Sequence, residues 1–110
     1  MTAVNHNQRV LKTLRDDGYM ATVVERYDFY TRRRHDLFGL IDILAVGHGH
    51  TLAIQVTSRS NMASRRNKMR DSAELAQMLA AGWRVELWGY DKPAHRWRLK
   101  TEQLQQKAEA

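Results

Sequence analysis

Cysteine is absent from the 110 residues, and proline occurs once. Without cysteine the chain has neither a disulfide scaffold nor a thiolate metal site, which fits a reducing cytoplasm. Long apolar runs are lacking too, since the longest, residues 40–46, contains Asp42 and is far shorter than a membrane span. The N-terminal residues do not form the apolar stretch of a signal peptide. We therefore expect a soluble, cytoplasmic protein with no membrane partner.

Positive charge is in excess. Lys and Arg number 18 against 12 Asp and Glu, a formal net charge of +6, so a polyanion is the expected partner. Basic residues concentrate at 32–34 and 59–70, and the second stretch has no acid. A solvated charge run is the alternative interpretation, but we assign these stretches to DNA phosphates. The predicted DNA contacts are Arg32, Arg33, Arg34, Arg59, Arg65, Arg66 and Arg70.

The apolar spacing predicts one α/β domain over residues 1–100, followed by a polar tail at 101–110. Helix, three strands, helix and strand follow in order, α-β-β-β-α-β, as in a mixed sheet flanked by helices. The predicted helices are 3–17, ended by Gly18, and 60–81, capped by Ser60 or Asn61 and ended by Gly82. The predicted strands are 19–27, 39–46, 51–58 and 83–90, with a basic loop at 31–35 and a short edge strand at 95–99.

Two of these strands are joined by a Gly-His-Gly-His turn at 47–50, which is typical of a hairpin. If the turn closes symmetrically, Val46 faces Thr51, and counting back along both strands places Asp42 opposite Gln55. The two histidines of the turn lack supporting partners, so we assign them no metal site.

Asp42 then needs a partner, because a buried carboxylate must be paired, hydrogen-bonded or bound to a cation. One interpretation is structural: the carboxylate accepts from backbone amides or pairs with an arginine of 32–34. The other is a metal site, since Gln55 offers a carbonyl oxygen across the hairpin and Thr57 is polar on the same face.

The sequence FGLID at 38–42, the hairpin, and IQVT at 54–57 together resemble the D…(D/E)-x-K signature of PD-(D/E)xK nucleases. Archaeal-type Holliday junction resolvases, VRR-NUC domains and small phage-encoded nucleases are the members most similar, over residues 5–90. The resemblance implies a restriction-endonuclease-like fold and an endonuclease that uses Mg²⁺ or Mn²⁺. It also implies a DNA substrate, branched or junction DNA if the chain is resolvase-like, and a homodimer.

The resemblance implies roles for four residues of the motif. Asp42 matches the metal-binding Asp, and Gln55 stands where a second acid is usual. The backbone carbonyl of Val56 corresponds to a further metal ligand. Thr57 stands where the family has its catalytic Lys.

Further residues are expected to complete this set. Asn7 corresponds to a Glu on the first helix of resolvase-like members. Asp36 or Glu25 would restore negative charge, and we favour Asp36. Lys68 would supply the missing cation if the second helix turns it toward the sheet, although a solvated Lys is the alternative.

Three functions stay open at this stage. A metal-dependent endonuclease is the leading one. A DNA-binding module that has lost catalysis is the second, because Asn7, Gln55 and Thr57 are uncharged where the family has charged groups. A protein-binding factor with an acidic partner is the third.

Overall fold

The computed structural model describes residues 6–105. A five-stranded sheet has α1 on one face and α2 and α3 on the other, each side enclosing an apolar core. The helices are α1 (Asn7–Asp16), α2 (Met62–Arg70) and α3 (Ala73–Ala80). The strands are β1 (Met20–Val23), β2 (Arg26–Asp28), β3 (Arg33–His35), β4 (Ile43–Gly47), β5 (His50–Ser58), β6 (Arg84–Asp91) and β7 (Arg98–Gln103).

The sheet order is β1-β4-β5-β6-β7. Only β5 and β6 pair in parallel, and the other neighbours are antiparallel. The prediction of an α/β fold with a mixed sheet flanked by helices is therefore confirmed. Within residues 6–105 there is no helix long and apolar enough to span a bilayer.

Helix α1 ends where the sequence predicts. The Gly18 N–H donates to the Arg15 carbonyl at 3.1 Å and the Tyr19 N–H to the Leu14 carbonyl at 2.9 Å. This pair of bonds is a Schellman cap, which requires the positive φ of 92° at Gly18. Residues 3–5 of the predicted helix lie outside the described part of the chain.

The prediction of a single helix over 60–81 is wrong, because the helix is interrupted at Ser72. This residue has extended backbone, and its hydroxyl accepts from the Leu75 N–H at 3.2 Å and donates to the Met69 carbonyl at 2.6 Å. Serine competes for backbone groups in this way, so it ends α2 and caps α3. Asn61 precedes α2 as predicted, but its side chain makes no capping bond.

The predicted tail and edge strand are also partly wrong. Strand β7 begins at Arg98 and continues to Gln103 along β6, and Leu104 then packs into the core at 2 % exposure. Its N–H donates to the Val85 carbonyl at 2.8 Å. The burial of Leu104 therefore accompanies the extension of the edge strand into the stretch that was predicted as a polar tail. Residues 106–110 lie outside the described part of the chain.

The strand predicted over 19–27 stops at Val23, and the predicted basic loop is a hairpin. Strands β2 and β3 pair with Arg26 opposite His35, in a two-stranded sheet of their own. We call residues 26–35 the arm. Its residues are exposed except for the half-buried Asp28, and β3 consists of Arg33, Arg34 and His35, so no apolar alternation marks that strand in the sequence.

Candidate metal centre

The first half of the site lies at the open end of the β4–β5 hairpin. Val46 is opposite Thr51, as predicted, but Asp42 immediately precedes β4 and is not in mid-strand. The Asp42 N–H donates to the Ile54 carbonyl at 2.9 Å, and Asp42 Oδ2 accepts from the Val56 N–H at 2.8 Å. The Asp42 carboxylate therefore accepts the hydrogen bond from β5 that a backbone carbonyl would accept if β4 extended further.

Gln55 lies beside Asp42, as the register predicts. It is 3 % exposed, and its Nε2 donates to Asp36 Oδ2 at 3.3 Å and to Asp42 Oδ2 at 3.5 Å. Thr57 is also buried, opposite Gly89 of β6. Within the described residues, Thr57 makes no hydrogen bond to either carboxylate.

The backbone of Val56 faces the same place. In a paired strand the N–H and C=O of one residue point to the same neighbour. Because the Val56 N–H points at Asp42, the Val56 carbonyl is directed to that side as well. Strand β4 has not yet begun at this level, so the strand geometry predicts that the Val56 carbonyl faces the carboxylates.

The second half of the site lies at the open end of the arm. Since Arg26 is opposite His35, the next positions outward, Glu25 and Asp36, stand side by side. One carboxylate oxygen from each of Glu25, Asp36 and Asp42 lies within 4.8 Å of the others. The sequence named Asp36 and Glu25 as alternatives, and the structure brings both to Asp42.

The crowding of carboxylates is visible in the electrostatics. Burial, followed by the hydrogen bond and the negative charge of Asp36, raises the pKa of Asp42 to about 8, and the hydrogen bonds from the Val56 N–H and Gln55 oppose this shift. Arg34 donates to Glu25 at 2.9 Å from the arm, and that pair is largely exposed on the arginine side. A bound cation inverts this situation, because it favours ionised carboxylates.

A cleft of about 380 Å³ opens beside Glu25. The predicted partner Asn7 lines it from α1 and is 6 % exposed. Gln8, the neighbour of Asn7 in the sequence, also lines the cleft. Gln8 was not identified from the sequence, because no motif or spacing marks this residue. The lining residues are Asn7, Gln8, Val23, Glu25, Tyr27 and Arg34.

The prediction that Lys68 turns toward the sheet is wrong. Helix α2 buries Met62 and Met69, and Lys68 lies about 100° around the helix from Met69, exposed to solvent. Lys68 was expected to share one helical face with Leu75 and Leu79, which requires a continuous helix. The break at Ser72 removes that face.

The two basic stretches differ in how far their cations are engaged. Arg32 and Arg33 of the arm are exposed and form no ion pair with any described residue. Arg66, in contrast, is held by both carboxylate oxygens of Glu102, with Nη2 to Oε1 at 2.8 Å. Arg59, Arg65 and Arg70 are half-buried; the first lies in a 3-10 turn (Arg59–Asn61) and the other two in α2. Their DNA contacts stay predictions, and Arg66 is the least available.

Comparison of the chain with protein-family models, curated proteins and solved structures found no match. The resemblance to PD-(D/E)xK nucleases therefore stays a prediction. A function for this protein has to be argued from the chemistry of the site.

Proposed function

We propose that this protein is a divalent-metal-dependent DNA nuclease of the PD-(D/E)xK type, with Asp42, Asp36 and Glu25 as its charged metal ligands. The observation that carries the proposal is the approach of three carboxylates within 4.8 Å, one of them 5 % exposed. Like charges so close, and partly desolvated, are unfavourable without a counter-ion. Among residues 6–105, the only cation in an ion pair with these carboxylates is Arg34, which pairs with Glu25.

The donor set fits a hard cation. Carboxylate and carbonyl oxygens are the ligands that Mg²⁺ and Mn²⁺ prefer, and sulfur and imidazole are not among the groups gathered here. Gln55 now directs its NH₂ at two carboxylates, and a half-turn of the amide would present its oxygen in place of the nitrogen. The Val56 carbonyl completes the set.

A bound divalent ion would polarise a phosphodiester and lower the pKa of an attacking water. The chain's own groups would position that chemistry. The Val56 N–H fixes the Asp42 carboxylate, and Gln55 links it to Asp36. Arg34, which lines the cleft, would meet a phosphate. Branched or junction DNA as substrate, and a homodimer that cuts two strands, follow from the family resemblance.

A second function is favoured by a specific observation: in the described part of the chain, no lysine pairs with the carboxylates. Thr57 stands at the family's Lys position, and Lys68 is exposed to solvent on α2. A DNA-binding module that has lost catalysis would show this pattern. It predicts DNA binding without cleavage.

Cleavage assays separate the two. Purified protein is incubated with supercoiled, linear, single-stranded and four-way-junction DNA in Mg²⁺ or Mn²⁺, beside Asp42→Asn and the exposed control Asp71→Asn. The nuclease predicts metal-dependent cutting that Asp42→Asn abolishes and Asp71→Asn retains. Binding of DNA with no cutting of any substrate would leave the silent module, and cutting by Asp42→Asn would refute this site.

A further inference from the structure

We propose, on the basis of the DNA function above, that the arm binds unpaired bases and directs the metal centre to DNA with a single-stranded flap, gap or branch. The tip of the arm carries two large rings in solvent, Phe29 at 83 % and Tyr30 at 100 % exposure. Two adjacent aromatic rings left in solvent contribute no burial free energy to the fold. Exposed apolar patches of this kind mark interaction sites.

The arm leads away from the metal centre along one face. Tyr27 pairs with Arg34 across the arm, and both line the cleft beside Glu25. The ring of Phe29 meets that of Tyr27 edge to face, with centroids 5.0 Å apart, so an aromatic row continues from the cleft to the tip. Phe29 lies four positions along the chain from Glu25, a distance of about 13 Å in extended backbone.

The turn that presents these rings is ordered by a side chain. Asp28 Oδ1 accepts from the Tyr30 N–H at 2.8 Å and from the Thr31 N–H at 3.4 Å. The turn closes with a positive φ of 57° at Arg32. Phe29 and Tyr30 are thereby held outward on a defined turn, with no described residue covering them.

Charge selects the partner. Arg26, Arg32 and Arg33 are exposed on the same arm and form no ion pair within residues 6–105. Aromatic rings interleaved with free cations are the chemistry that binds single-stranded nucleic acid, because bases stack on the rings while phosphates meet the cations. Bases inside an intact duplex already stack on one another and offer no such face. An apolar protein surface, in turn, would leave the cations unpaired.

The test is equilibrium binding in EDTA, where the metal centre plays no part, measured by fluorescence anisotropy. Labelled single-stranded, blunt duplex and single-strand-flap DNAs are titrated with wild type and with the double variant Phe29→Ala/Tyr30→Ala. Tyr30→Phe keeps the ring, and Met20→Ala removes an exposed apolar side chain outside the arm. We expect tighter binding of flap and single-stranded DNA by the wild type.

The double variant should lose about 10-fold or more of that affinity, as expected from loss of base stacking, while duplex binding stays the same. Both controls should match the wild type. Equal binding of all three DNAs by the wild type, or an unchanged double variant, would overturn the role of the arm. So would a double variant that is monomeric by sedimentation where the wild type is a dimer, because the rings would then be a contact between copies.

These outcomes are distinct from failure of the proposed nuclease. A protein that binds flaps through the arm yet cuts no DNA in Mg²⁺ or Mn²⁺ would keep the arm's role and lose the catalytic one. A protein that cuts DNA with no preference for unpaired regions, and with the double variant fully active, would do the reverse.

Discussion

Two antiparallel hairpins meet at the carboxylate cluster, and they differ in almost every physical respect. The β4–β5 hairpin lies inside the sheet and is largely apolar, whereas the arm is polar and exposed. Each contributes the pair of side chains at its open end, Asp42 with Gln55 from the first and Glu25 with Asp36 from the second. One half of the site is therefore rigidly supported, and the other is carried by a surface element.

The difference lies in what holds each register. A one-residue slip of β5 would turn its buried side chains to the wrong face, so burial fixes the position of Gln55. The arm is held by polar contacts whose basic partners are exposed, such as Arg34 with Glu25 and His35 with Asp28 at 3.6 Å. Exposed ion pairs contribute about 0–1 kcal/mol each. Little free energy therefore opposes movement of the arm, which suits an element that adapts to a substrate.

The sharpest way to test whether both hairpins form one site is to remove a charge from each. Asp36→Asn, on the arm side, should reduce metal-dependent cleavage as strongly as Asp42→Asn, by about 100-fold or more. Each removes a charged ligand, and a metal's contribution to transition-state stabilisation is several kcal/mol. Initial rates on the best substrate at saturating Mg²⁺ give the comparison.

Asp71→Asn, whose side chain is exposed at the end of α2, serves as the matched control and should cut normally. Cleavage by Asp36→Asn at the wild-type rate, with Asp42→Asn inactive, would show that the arm's acids stand outside the reacting site. The two-hairpin description of the centre would then be wrong.

Whereas cleavage should depend equally on the two hairpins, the free energy of unfolding should depend on the β4–β5 hairpin much more than on the arm. Ile54→Ala, at a fully buried position of β5, should lower the free energy of unfolding by about 2–5 kcal/mol. Phe29→Ala, in the arm, should change it by no more than about 0.5 kcal/mol. Urea unfolding with an unchanged m-value measures both. A loss of equal size at Phe29 would mean that the arm packs as part of the core.

The pH dependence of stability isolates Asp42. Its folded-state pKa is raised to about 8 from an ordinary value of 3.8, so folding favours the protonated carboxyl. The stability that this contributes is complete below about pH 4 and is lost as pH rises toward 8, while a bound metal would restore it. Since one pKa unit corresponds to about 1.4 kcal/mol, the loss is on the order of a few kcal/mol.

Urea unfolding in EDTA between about pH 5 and pH 8 is the measurement, with wild type beside Asp42→Asn. Burial lowers the pKa of His6, and that group affects both proteins, so the difference between them reports Asp42. In EDTA, Asp42→Asn should be more stable than the wild type at pH 8. When Mg²⁺ replaces EDTA, the free energy of unfolding should rise for the wild type and not for Asp42→Asn. Parallel curves for the two proteins would contradict the raised pKa.

The same contrast explains what the sequence could predict. Apolar strands around a Gly-His-Gly-His turn fix the β4–β5 register, so the pairing of Asp42 with Gln55 is readable from residues alone. Strand β3 of the arm has no apolar residue, and the meeting of Glu25 with Asp36 depends on a polar hairpin pairing that periodicity does not signal. Lys68 was misplaced because Ser72 makes a local cap that outweighs helix propensity.

The smallest expected effect concerns the two basic stretches. Arg33 is exposed on the arm without an ion pair among the described residues, whereas Arg66 is held by Glu102. If the arm contacts phosphate, Arg33→Ala should weaken DNA binding modestly and lower the salt slope of log K by about 1. Arg66→Ala should leave that slope unchanged, because its guanidinium is already engaged. Binding titrations at several salt concentrations give the salt slope of each variant. A lowered slope for Arg66→Ala with an unchanged slope for Arg33→Ala would assign the phosphate contact to α2 in place of the arm.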